Sequence, residues 1–231
     1  MRATIFMPPR LGGAVVVLVC AIALAGCGSA ISDTQALGGE ARPAPYPGQI
    51  TVASEPAGAR CVIVNTASGN QVAEITAPGQ VALPRSTDIV EARCSAPGRM
   101  DTVLAIRPVR DFAAGIHHPQ PVGTGIAQNA VVVRNGSTRR YNDVTVHLPP
   151  QPFASAEVRD AWFAERAEAA RRAASPGIAR AERAPNATID SAETLRGYLQ
   201  ADLARLDTQK AAATIAAPAA EPDPAPARRR R

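Results

Sequence analysis

The sequence predicts a small, mainly β domain, an antiparallel sandwich or barrel, followed by two α-helices and a disordered tail. Three observations predict it. Short runs between residues 49 and 106 alternate apolar and polar residues and are divided by Pro/Gly turns. The stretch after Pro149-Pro150 turns to Ala, Glu and Arg and then to leucines at helical spacing. The last residues, from about 215 to 231, are rich in Pro and Ala and end in Arg228-Arg229-Arg230-Arg231.

The strands follow in order. Ile50-Thr51-Val52-Ala53-Ser54 alternates, and Pro56-Ala57-Gly58 makes the first turn. Arg60-Cys61-Val62-Ile63-Val64 is the second strand. Ala67-Ser68-Gly69-Asn70 turns the chain into Val72-Ala73-Glu74-Ile75. Pro78-Gly79 precedes Val81-Ala82-Leu83. Ile89 to Cys94 and Met100 to Ile106 flank Pro97-Gly98. At a period of two, Cys61 and Ile63 share one face, and Val90, Ala92 and Cys94 share another. If both faces point inward, the two sulfurs meet inside the domain. Residues 108–130 have no clear period and read as a glycine-containing insertion. Val131-Val132-Val133, the Asn135-Gly136 turn and Val144 to Leu148 read as a closing hairpin, which completes a β domain over 48–148.

Two helices are predicted beyond it. Ser155 caps a helix over 155–174 that Pro176-Gly177 should stop. Trp162 and Phe163 are its large apolar anchor, with Val158 one turn earlier, and Glu168 and Arg172 are spaced as an i,i+4 pair. Asp190 with Glu193 resembles a capping box opening a helix over 190–214. Leu195, Leu199, Leu203 and Leu206 form a stripe on it, suited equally to a partner helix or to its own β domain.

The N-terminus has its own logic. Arg2 and Arg10 precede an apolar core from Leu11 to Ala25, too short for the ~20 residues of a spanning helix. Leu24-Ala25-Gly26-Cys27 closes it and resembles the lipobox of bacterial lipoproteins. The resemblance implies that residues 1–26 are a signal peptide and that the Cys27 thiol carries diacylglycerol, with the new amino group open to acylation. Two or three chains would anchor the protein in a membrane. Gly28 in place of an inner-membrane-retaining Asp points to the outer membrane, facing the periplasm. Residues 27–47, rich in Ser, Gly, Ala and Pro, read as a flexible, extended tether.

Export also sorts the cysteines. Cys20 leaves with the signal and Cys27 takes lipid, so Cys61 and Cys94 remain to form a disulfide in an oxidising compartment. Two free buried thiols are the alternative. Charge is less informative than it looks: without Arg2, Arg10 and the four terminal arginines the formal charge of +5 becomes −1. No broad basic face points to nucleic acid.

A second resemblance rests on Thr51-Val52-Ala53-Ser54-Glu55-Pro56-Ala57-Gly58-Ala59, a strand leading into a Ser-x-Pro-x-Gly-Ala turn. It is similar to the opening of a PEGA-type domain. Cys94-Ser95-Ala96-Pro97-Gly98-Arg99 resembles that module's closing strand, with Arg99 where an aromatic is usual. Some envelope lipoproteins with this module carry a cysteine pair at the places of Cys61 and Cys94. The resemblance covers about residues 48–107 and implies a binding or structural unit rather than an enzyme.

The sequence carries no phosphate-binding Gly-x-x-x-x-Gly-Lys-Ser/Thr loop, no Gly-x-Ser-x-Gly elbow and no His-Glu-x-x-His. Cys61 and Cys94 lack Cys-x-x-Cys spacing. The expectation is therefore a non-enzymatic envelope lipoprotein with no cofactor and no metal. Its partners would be the membrane, through the lipid, and an envelope protein or a cell-wall or surface glycan. Arg228, Arg229, Arg230 and Arg231 are candidates for contact with an anionic partner. The alternative is an envelope enzyme using metal at His117-His118, near Asp111.

Overall fold

A computed structural model describes residues 28–116, 131–132, 134–184 and 190–217, with side-chain burial from residue 33 onward. The signal segment, Cys27, His117, His118, Val133 and the four terminal arginines lie outside the described residues.

Two open sheets share one core. In the first, β1 (Gln49–Glu55) lies between β4 (Gly79–Ala82), antiparallel, and β9 (Val144–His147), parallel. The second is antiparallel, in the order β3 (Gln71–Thr76), β2 (Arg60–Asn65), β5 (Val90–Ser95), β6 (Thr102–Ile106). Strand periodicity puts Ile50, Val52, Val81 and Val146 of one sheet into the same buried cluster as Cys61, Ile63, Ala92 and Ile106 of the other. The sheets do not close into a barrel: β6 and β9 are each the last strand of their own sheet.

The predicted disulfide is present. Cys61 and Cys94 are direct cross-strand partners on β2 and β5, both at the core, and their sulfurs are bonded. The turn after β1 shows why serine and proline stand together there. The buried Ser54 hydroxyl donates to the Pro56 carbonyl at 2.7 Å and accepts the Ala59 N–H at 3.3 Å. It thereby clips β1 to β2.

Several expectations are corrected. Val131 and Val132 are helical, not a strand, and Val131 is exposed. Gly136, at φ 68°, does turn the chain, but into β8 (Arg139–Arg140), which pairs with β7 (Val109–Arg110). A Cβ on Gly136 would stand 2.3 Å from the Ser86 backbone, so only glycine fits this approach. The run from Val144 pairs instead with the free edge of β1, where Val146 and Leu148 join the core. Burial of two large side chains outweighs a local hairpin signal.

Residues 27–47 are not an extended tether over their described part. Gly28–Leu37 form helix α1, and Ala36 and Leu37 pack with Phe112 and Ala184. What this segment lacks in apolar bulk, arginines supply. Arg42 donates to the Phe112 carbonyl at 3.1 Å, Arg140 to Ala44 at 2.9 Å and Arg183 to Ala36 at 2.9 Å. The buried Asp33 takes Arg110 and Arg42.

Helix α2 (Ala156–Arg183) runs through Pro176 rather than stopping before it. An interior proline costs about 3 kcal/mol. Buried Ala181, and Arg180 and Arg183 bound to Glu40, give the last turns a purchase that offsets this cost. Ser155 caps the helix as predicted. Arg171 rather than Arg172 pairs with Glu168, and Val158 is exposed. Phe153, Trp162 and Phe163 form the anchor, with Trp162 and Phe163 centroids 4.8 Å apart.

Helix α3 (Ala192–Ala212) is capped by Ser191, which accepts the Thr194 N–H at 3.0 Å; Asp190 is buried elsewhere. The helix stops at Ala212, short of the expected 214, and the first residues of the expected tail are ordered: Ile215 bridges Phe153, whose N–H donates to the Thr214 carbonyl at 2.9 Å and whose carbonyl accepts the Ala216 N–H at 2.8 Å. Among the described residues no helix is long and apolar enough to cross a membrane.

Candidate functional site: a cleft between the sheets and the helices

β6 and β9 lie side by side without a shared ladder, so the two sheets part along this seam. Helices α2 and α3 pack together as a hairpin across the opening. They do not fill it. α2 presents Ala169, Ala170, Ala173, Ala174 and Gly177 to the seam, side chains too short to reach the strands. The result is a cleft of about 560 Å³. Its strand wall is Val103, Leu104 and Ala105 of β6 with Val144 and Val146 of β9; α3 adds Leu195, Leu199 and Leu206.

The leucine stripe is thus neither a simple partner surface nor a sealed contact. No residue of α3 is fully buried, and three of its four leucines border the cleft. Leu206 also packs on the aromatic anchor.

The charged groups are arranged around this apolar wall. At mid-length Arg107 makes a two-pronged contact with Asp202, at 2.8 and 3.1 Å, and stacks over Tyr198 at 4.8 Å. Arg205 reaches the same carboxylate at 3.2 Å. Burial pulls the Arg205 guanidinium below its ordinary pKa; Asp202 counters this and Arg107 adds to it. Glu91, the next carboxylate in its field, is itself bound by Arg93 at 2.9 Å. Two guanidiniums therefore share one carboxylate.

One end of the cleft holds Trp162, His147 and Arg166, with Arg166 over the indole at 5.7 Å. His147 lies against Glu55 and Arg166. At the other end Arg110 and Arg180 flank Phe112 at 4.8 and 5.9 Å. Burial, the largest influence on Arg110, lowers its pKa against the pull of Asp33. Asp190 closes this end, gripped by Arg139 at 2.8 and 3.1 Å.

The residues singled out from sequence fall differently. Cys61 and Cys94 are brought together in the core, away from the cleft lining. Asp111, the carboxylate considered beside His117-His118, is fully buried and held by Arg85 at 2.6 Å and Arg140 at 3.6 Å. Among the described residues no group of three or more His, Cys, Asp or Glu is placed to hold a metal. The arginines of the cleft, Arg107 and Arg110, Arg166 and Arg180, and Arg205, come from three separated segments, which sequence reasoning did not join. The one local signal was the alanine-glycine face of α2 opposite the leucines of α3. Compared with known proteins, the chain matches no family model, no curated protein and no solved structure.

Proposed function

We propose that this chain is a membrane-anchored lipoprotein of the bacterial cell envelope, acting as a non-enzymatic binding module. Residues 48–148 would be a PEGA-like β domain serving as scaffold, and the cleft the place where a ligand or partner is held. The observation that carries the reading is the cleft itself: a space of about 560 Å³, walled by aliphatic side chains and fringed by fixed guanidiniums. That volume lies within the range of about 300–1,000 Å³ usual for small-molecule sites, which combine apolar walls with a few placed polar groups. The Leu24–Cys27 motif and the Cys61–Cys94 disulfide support an exported, anchored protein.

The anchor is tested by mass spectrometry of the chain purified from bacterial membranes. The expected mature protein begins at a diacylglyceryl Cys27; an unmodified Cys27 or retention of residues 1–26 overturns the anchor. The binding reading has its own test. A photo-crosslinking residue at Leu104 or Leu199 should give specific adducts in intact cells, and Ala173→Phe, which fills the cleft, should abolish them. The exposed edge position Val72 is the control. Adducts that match those of Val72, or that persist with Ala173→Phe, would overturn it.

A further inference from the structure

We propose that the cleft binds a single-chain anionic lipid, its acyl chain lying along the alanine-leucine walls and its carboxylate held between Arg107 and Arg205. The inference rests on reading the cleft as a binding site and names its ligand class. Shape argues for a chain. The lining extends along α2 from Trp162 to Ala181, roughly 28 Å at 1.5 Å per residue. A space of about 560 Å³ spread over that length is elongated and suits one flexible chain better than a ring system. The walls offer mostly methyl and methylene groups, and Val103 is 36% exposed in their midst.

Charge argues for an anionic head. Arg107 and Arg205 both bind Asp202, leaving an excess positive charge in a partly desolvated place. Burial acts against the Arg205 cation, so a second carboxylate there would restore it towards its ordinary pKa. Tyr198 and Asp202 hold Arg107 in place, so the head meets an ordered donor rather than a free side chain. An extended peptide adding to the edge of β6 is the competing occupant. It is disfavoured because α3 already lies along that strand: Gln209 donates to the Thr102 hydroxyl at 3.2 Å and Asp202 ties down Arg107.

Trp162 is the only tryptophan and borders the cleft, so it reports occupancy directly. Full-length protein is titrated with dibromostearate, whose bromines quench a nearby indole. Saturable quenching reversed by stearate is expected. Stearyl alcohol should compete about tenfold more weakly, the loss of one charge-assisted contact. Arg205→Gln should remove most of the preference for stearate over the alcohol, while Ala173→Phe removes binding of both. Comparing acid with alcohol on the unaltered protein does not depend on any variant folding. Equal competition by acid and alcohol overturns the anionic head. Unsaturable quenching, or quenching unchanged by Ala173→Phe, overturns the lipid. A peptide adduct as the sole product of the cleft crosslinks does so too, while leaving the binding-module reading standing.

Discussion

Reducing the Cys61–Cys94 disulfide is expected to lower the stability of the domain by about 3–4 kcal/mol, from the loop-closure entropy released to the unfolded chain. The bond closes a separation of 33 residues between β2 and β5, the two central strands of the larger sheet. A domain of ordinary stability has about 5–15 kcal/mol in hand, so the loss is a large share. It is read as a fall in the urea midpoint with dithiothreitol, and again in a Cys61→Ala, Cys94→Ala double variant. Both sulfurs are buried, so the double variant should lose somewhat more than reduction alone, through the volume removed. A change below about 1 kcal/mol would mean that the unfolded chain keeps β2 and β5 together without the bond. The consequence for biology is directional: the protein should accumulate in an oxidising compartment and be degraded where thiols stay reduced.

Asp190→Ala is expected to cost about 3–5 kcal/mol, the penalty for leaving one member of a buried ion pair alone. Its partner Arg139 is only 10% exposed and bonds both carboxylate oxygens as well as the Pro108 carbonyl. Removing the carboxylate strands a guanidinium at the junction of β8, the β6–β7 connection and the start of α3. Chemical denaturation measures the loss. Replacing both members together, Arg139→Met with Asp190→Leu, should recover a substantial part, because neither charge of the pair is then left buried without the other. If Asp190→Ala costs less than about 1 kcal/mol, water reaches the pair and it behaves like an exposed salt bridge. Asp190 also closes one end of the cleft, so the single variant should loosen ligand binding even where the protein stays folded.

The strands were legible because their signals are local. Alternation over five or six residues puts Ile50 and Val52 on one face, and the Ser54–Gly58 turn carries its own hydrogen bonds. Ser155 likewise caps α2 with a contact three residues away. The failures share a physical cause. Pro176 is a strong local stop, yet the helix passes it because Arg180 and Arg183 meet Glu40, some 140 positions earlier. Asp190 looks like a cap but serves Arg139, and Ser191 takes the cap instead. Asn135-Gly136 turns the chain without making the hairpin, because β1 offered a deeper place for Val146.

Read alone, the sequence determined the β character, the positions of most strands and the two helices near the C-terminus; it left Cys61 and Cys94 as a bridge or two thiols, and the register of β2 against β5 decided for the bridge. Strands and helices depend on side-chain alternation, turn chemistry and caps, all of which act within a few residues. Only the tertiary structure decided that residues 28–47 fold back on the domain, that β9 joins β1 in parallel, and that a cleft opens under the helices. Each of those depends on charges or volumes from distant segments meeting: Asp33 with Arg110, Asp202 with Arg107 and Arg205, and the short alanines of α2 facing the parted edges of two sheets. A cleft is a volume left over once packing is complete, so the local alanine-glycine pattern of α2 marks one wall of it and not the space itself.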